Sequence, residues 1–168
     1  MIRIGITGPE SSGKTALAKS LSEHFKVTDI PEFARGYLEK RNGIYNQADL
    51  DEMANGQLTA ILDSRDSITI CDTDFSVLEI WSAYKYGSVS KLINECVKKD
   101  LFDLHILCSP DIPWEDDPLR ENPNNRDELF VLYKASLETH NKNFISVSGH
   151  HKKRIEKSLL AIDALLII

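Results

Sequence analysis

Basic charge is scarce in this sequence: 20 lysines and arginines face 26 aspartates and glutamates, leaving a formal net charge of −6. Duplex DNA is held by a basic face that neutralises many phosphates, and the run Lys152, Lys153, Arg154 is too short to supply one, so no nucleic-acid partner is expected. Long apolar runs are lacking as well. The longest, 159–168, is interrupted by Asp163 and falls far short of the ~20 residues that span a bilayer. Residues 1–7 are apolar apart from Arg3, but Pro9, Glu10 and Lys14 follow at once, unlike a signal peptide. No membrane partner and a cytoplasmic location are the expectation. The three cysteines, Cys71, Cys96 and Cys108, form no CxxC pair and leave an odd one over, as reduced thiols do; two of them sit in apolar runs as small buried hydrophobes. The five histidines, at 24, 105, 140, 150 and 151, have no metal-ligand spacing, so no zinc site is expected. What remains, 42% hydrophobic residues over 168 positions, is enough for one domain with its own core, 1–168.

Periodicity alternates β-rich runs with helical segments. Ile2–Thr7 is a compact strand, and Leu17, Ala18, Leu21 and Phe25 then recur at helical spacing. A second short strand, 27–30, stops at Pro31, and Leu50, Met53, Ala54, Leu58, Ile61 and Leu62 line one face of a longer helix. Strands at 67–71, 102–108 and Phe144–Val147 follow, separated by helices at Phe75–Tyr86, 89–97 and 127–140, with a last helix over His151–Leu166. Mostly apolar strands alternating with helices predict an α/β sandwich around a mostly parallel five-stranded sheet. Segment 111–126 breaks the pattern. Three prolines, three asparagines and seven charged residues cannot bury a core and read as an exposed lid loop.

The strongest signal is Gly8-Pro9-Glu10-Ser11-Ser12-Gly13-Lys14-Thr15, which fits G-x-x-x-x-G-K-[ST] between a strand and a helix. Four specified positions match by chance in roughly half a percent of chains this long, and the strand-loop-helix context makes accident rarer still. The glycines let backbone N–H groups turn inward around an anion, and the helix N-terminus adds its positive dipole end. Lys14 is placed to reach the β- and γ-phosphates, with Glu10, Ser11, Ser12 and Gly13 lining the loop and Thr15 offering its hydroxyl to Mg²⁺. Guanine-reading signals are missing, since Asn141-Lys142-Asn143-Phe144 lacks the aspartate of N-K-x-D, and ATP is favoured. The length points away from motor and AAA-type ATPases with accessory elements and towards small-molecule kinases.

In open α/β sheets ligands gather beyond the carboxyl ends of the strands. Strand two ends in Glu32-Phe33-Ala34-Arg35, which puts Glu32 and Arg35 on one face of a helical turn. Such a carboxylate can orient a hydroxyl or take its proton, and such an arginine can steady substrate or phosphate; a plain surface ion pair is the alternative. Strand three ends in Asp72-Thr73-Asp74-Phe75, with Asp72 where a phosphate-loop enzyme holds its metal. Asp74 is a candidate base or sugar ligand, or simply a helix cap. In the lid, Arg120 and Arg126 are candidates to close over a transferring phosphoryl group. Trp114 either stacks on a flat base or anchors the loop. Trp81, beside Leu78, Ile80 and Tyr84, reads as core.

These strings, together with Pro113-Trp114-Glu115-Asp116-Asp117-Pro118-Leu119-Arg120, resemble the ribosylnicotinamide kinase domain of NadR-type proteins in order and spacing over nearly the whole chain. The resemblance implies a phosphate-loop kinase fold and transfer of phosphate from ATP, with Mg²⁺, to nicotinamide riboside. It implies phosphate and metal roles for Lys14 and Thr15, and riboside and metal roles for Glu32, Arg35, Asp72 and Asp74. Trp114, Asp117 and Arg120 become the lid over the substrate, and the Ser148-Gly149 turn lines adenine. NadR-type proteins carry an adenylyltransferase domain ahead of the kinase, whereas this sequence opens on the phosphate-loop strand, so a stand-alone domain is expected. The expectation is therefore a nucleoside kinase; a kinase of another small metabolite, or an ATP-bound regulatory switch, is the alternative.

Overall fold

The computed structural model describes residues 1–99 and 101–167. Its elements follow in the order β1 (Ile2–Thr7), α1 (Lys14–Phe25), α2 (Phe33–Lys40), α3 (Gln47–Asp63), β2 (Ile68–Asp72), α4 (Phe75–Tyr86), α5 (Lys91–Lys99), β3 (Leu104–Cys108), α6 (Arg126–Thr139), β4 (Phe144–Val147) and α7 (His151–Leu166). The strands form one sheet in the order β2-β1-β3-β4, and every pairing is parallel. The register sets Ile4 opposite Ile70 and Leu104, and Leu107 opposite Ser146.

Among the described residues the sheet has four strands, not the five expected. The run 27–30 reaches β2 only through Ile30, whose N–H donates to Ile70 O at 2.8 Å and whose carbonyl accepts from Asp72 N at 2.8 Å. Pro31 follows with no N–H to extend the ladder. The bridge still fixes the chain beside the end of β2, which is what aims Glu32 at the phosphate loop.

Side chains alternate between the two faces of the sheet with a period of two. Ile4, Ile6, Ile70 and Ile106 pack on α1 and α7 with Leu17, Leu21 and Ile162. The opposite face is covered by α2 to α6 in two neighbouring clusters, one around Met53, Ile61, Phe75 and Ile93 and one around Leu107, Leu129 and Leu137. The starts of α3, α4 and α7 are capped by a local side chain. Asn46 and Asp49 form a capping box on α3, and the Asp74 carboxylate accepts from Ser76 N at 3.0 Å at the start of α4. The thiols of Cys71 and Cys108 are buried, which pushes them up to about 12 and about 11. No helix among the described residues is long and apolar enough to cross a membrane.

Candidate active site

The phosphate loop wraps the end of β1 before α1. Gly8 stands at φ +132°, and a Cβ there would lie 2.6 Å from Cys108 O, so only glycine lets the loop leave the sheet beside β3. Gly13 caps α1 in the left-handed region, φ 83°. The Lys14 ammonium folds back over the loop and donates to Gly8 O and Pro9 O, both at 2.9 Å. In this position its charge is held by carbonyls at the mouth of the loop.

Next to Lys14 lies an open cleft of about 730 Å³, a volume suited to a small-molecule ligand. Glu10 to Thr15 line it on one side, and Glu32, Arg35 and Arg120 supply charge on the other. Burial pushes the Glu32 carboxyl above its usual range; Lys14 opposes this and Asp72 adds to it. Asp72 is itself buried and raised by that burial, with the Thr15 hydroxyl and Lys14 working against the shift. Its Oδ1 has no hydrogen-bond partner among the described residues. A buried, partnerless carboxylate oxygen beside a hydroxyl is a hard-oxygen donor set, and it fits Mg²⁺.

The lid, 111–126, contains no helix or strand before α6 and is pinned to the phosphate loop. The Glu10 carboxylate accepts backbone N–H groups of Glu121 at 3.1 Å and Asn122 at 2.8 Å, and Ser11 Oγ accepts from Glu115 N at 2.9 Å. The Arg35 guanidinium pairs with Asp117 at 2.8 Å and Glu39 at 3.2 Å, not with Glu32. Two lid residues differ from expectation. Arg126 donates to Ser11 O and Ile112 O at 3.0 and 3.1 Å and lies outside the cleft lining, whereas Arg120, which donates to Glu115 O, is part of that lining. Trp114 lies outside the cleft lining, with the guanidinium groups of Arg120 and Arg126 5.8 and 5.7 Å from its ring centroid and its Nε1–H on Asp116 at 2.8 Å. The loop-anchoring alternative describes that geometry.

Asp74 is the clearest departure. It lies outside the cleft lining, is 2% exposed, and shares a 2.6 Å hydrogen bond with His105 Nδ1. Full burial alone would raise its carboxyl, but His105, Ser76 and Thr7 together hold it below its ordinary value. Its surroundings make it a buried helix cap. Gly149 also lies outside the cleft lining: at φ 82° it donates its N–H to Asp111 Oδ2 at 2.6 Å and accepts from Arg154 Nε at 2.8 Å.

The sequence pattern missed the aromatic wall. Trp81, taken for core, packs on the core and also lines the cleft, its Nε1–H donated to Tyr45 OH at 2.9 Å. Tyr84 and Tyr133 join it from α4 and α6. A helical stripe of aromatics looks the same whether it meets a core or a cleft, so no signal in the spacing separates them.

A phosphate loop at the carboxyl end of a parallel sheet, faced by a carboxylate, an arginine lid and an aromatic wall, defines a phosphate-loop nucleotide-binding domain with a nucleoside-kinase-like fold. The fold is similar to that of deoxyadenosine kinase from M. mycoides, with a TM-score of 0.59 at 15% identity in the structure with bound dCTP, covering 97% of this chain and 100% of that one. The structure with bound dATP gives 0.58 at 14%, with the same coverage. Residues 3–154 match AAA_28, an AAA domain family, and the chain belongs to it. That corrects the expectation from length against AAA-type domains: length speaks only to accessory elements, and the family match runs over most of this chain. The chain is 28% identical over 153 residues to the trifunctional NAD biosynthesis/regulator protein NadR of Escherichia coli (strain K12) and 27% identical to that of Salmonella typhimurium. Each alignment covers 86% of this chain, and the chain spans 37% of the length of these relatives.

Proposed function

We propose that this protein is an ATP-dependent kinase that phosphorylates the primary hydroxyl of a nucleoside, and that nicotinamide riboside is its substrate. The observation that carries the reading is that Lys14 and Glu32 face one cleft, so that a phosphate site and a proton acceptor share it. The kinase-like fold and the NadR likeness support it.

In this reading the loop N–H groups and Lys14 hold the β- and γ-phosphates, and Arg120 comes down from the lid onto the developing charge. Glu32 orients the 5′-hydroxyl and takes its proton as the oxygen bonds to the γ-phosphorus and the bond to the β-phosphate oxygen breaks, leaving ADP. A carboxyl raised by burial is a better proton acceptor than an ordinary one, because its conjugate acid lies nearer neutrality. Thr15 and Asp72 would hold Mg²⁺, which supplies charge neutralisation on the phosphate oxygens when bound. Lid contacts through Glu10 and Ser11 exclude water from the reacting phosphate.

The test is an ADP-release assay with ATP and Mg²⁺ against a nucleoside panel that includes nicotinamide riboside, with mass detection of product. A new mononucleotide from nicotinamide riboside, lost by orders of magnitude in Lys14→Ala, is the expected outcome. ATP binding with no product from any nucleoside would overturn the reading.

A further inference from the structure

Glu32 stands at the N-cap of α2, where the free N–H groups of a first turn and the helix dipole attract an anion. Its carboxylate nevertheless makes no cap hydrogen bond, and Glu32 lines the cleft instead. The first N–H of the helix, that of Phe33, is taken by another element: it donates to Gln57 Oε1 on α3 at 2.8 Å. Gln57 is 4% exposed and lies outside the cleft lining, and its Nε2 has no partner among the described residues. Burying an amide with an unmatched N–H is costly, and the bond to Phe33 is what this side chain supplies in return.

That bond acts on Glu32 directly. The N–H of Phe33 belongs to the planar peptide that joins it to Glu32, so holding this N–H fixes the Glu32 ψ angle, 110°. The residue before Gln57 makes a second contact with the same turn. Gly56 lies under the Phe33 ring, and a Cβ there would come within 2.3 Å of ring carbons Cε1 and Cζ. The far end of α2 is tied to α3 as well, Tyr37 donating to Asp49 at 2.6 Å and Arg41 pairing with it at 3.3 Å. We propose that Gln57, with the Phe33 ring seated on Gly56 beside it, is a positioning residue that caps α2 from outside and so keeps the Glu32 carboxyl turned into the cleft and off its own helix. The inference rests on the nucleoside-kinase reading and adds to it the group that sets the proton acceptor.

The test is steady-state kinetics of phosphate transfer from ATP, with Mg²⁺, to nicotinamide riboside or to whichever nucleoside wild type phosphorylates. Wild type, Gln57→Met and Gly56→Ala are compared, each well below its melting temperature. Met fills similar space without an acceptor. Ala pushes the ring off its seat while favouring the helix, so it decides the matter should Gln57→Met fail to fold. The expected result is a fall in kcat of about ten- to hundredfold in each variant, with the nucleoside KM unchanged because neither residue lines the cleft. Glu32 is faced by Lys14, Asp72, Arg35 and Glu10, which both variants keep. A carboxylate released onto the N–H groups of α2 then titrates lower, and the acid limb of kcat/KM should move to lower pH in both variants. A kcat equal to wild type in Gln57→Met, or in Gly56→Ala where Gln57→Met does not fold, overturns the inference and leaves the kinase reading intact. A loss confined to the nucleoside KM overturns it by placing Gln57 on the substrate, and a fall in kcat with the acid limb unmoved overturns it as a general loss of structure. Wild type that phosphorylates no nucleoside overturns the reading and the inference together.

Discussion

Arg154 Nη1 donates a 2.7 Å hydrogen bond to the Ser12 carbonyl across 142 positions of sequence. The same guanidinium, 2% exposed, reaches Ser109 O at 3.0 Å, Gly149 O at 2.8 Å and the Asp111 carboxylate. It joins the phosphate loop, the end of β3 and the turn before α7 through a planar fork that no other side chain reproduces.

Arg154→Met therefore leaves buried carbonyls without donors. We expect a loss on the order of 2 kcal/mol in stability, together with a raised KM for ATP, because the loop that holds the phosphates loses its outer support. Arg154→Lys, a point charge, should recover part of the stability and less of the KM. Thermal unfolding and ATP kinetics check both, and an unchanged ATP KM in Arg154→Met would remove the loop from the account.

Folding opposes the ionisation of Glu32, since its carboxyl is raised in the native state. A group with a raised folded pKa contributes stability at acid pH that is lost as pH rises through the folded value. Glu32→Gln should thus melt about 2 °C higher than wild type near neutral pH, with the difference vanishing in acid. Transfer should fall by about 10²- to 10⁴-fold in the same variant, and the acid limb of wild-type kcat/KM should lie above the ordinary carboxylate range. A variant as active as wild type would assign the proton to another group.

Asp74 has the opposite sign. Its lowered carboxyl stabilises the fold above the unfolded pKa, and that contribution is lost as pH falls through the folded value. Asp74→Asn should lower stability by about 1–2 kcal/mol through the weakened α4 cap and His105 contact, while kcat measured well below the melting temperature stays within a fewfold of wild type. A drop of several orders of magnitude in kcat would restore Asp74 as a catalytic group.

Much of the site was legible where its chemistry is contiguous. The strand, the two glycines, Lys14 and Thr15 lie within one stretch of chain, and the backbone that cradles an anion is encoded by those residues themselves. Glu32 and Asp72 were candidates on the strand-end rule: Asp72 closes β2, and Glu32 stands two residues past the bridge at Ile30 and lines the cleft. The fifth strand was over-read: the run 27–30 has β-forming residues, but pairing depends on a neighbour's free edge and on the residue after it, here Pro31. Asp74, two positions from Asp72, could not be told from it by spacing, since β2 ends at Asp72 and the chain then turns through Thr73 at φ +123°, where strand alternation no longer says which way a side chain points.

By itself, then, the sequence determined the alternation of strands and helices, the phosphate loop and the acidic and arginine-bearing segments that surround it. These follow from local rules of periodicity, turn chemistry and charge. The tertiary structure alone decided that Arg154 backs the loop, that Trp81 and Tyr133 wall the cleft, that Glu10 holds the lid and that Asp74 is a buried cap. Those relationships join residues far apart in the chain, and they exist only because the strand order β2-β1-β3-β4 brings particular strand ends together.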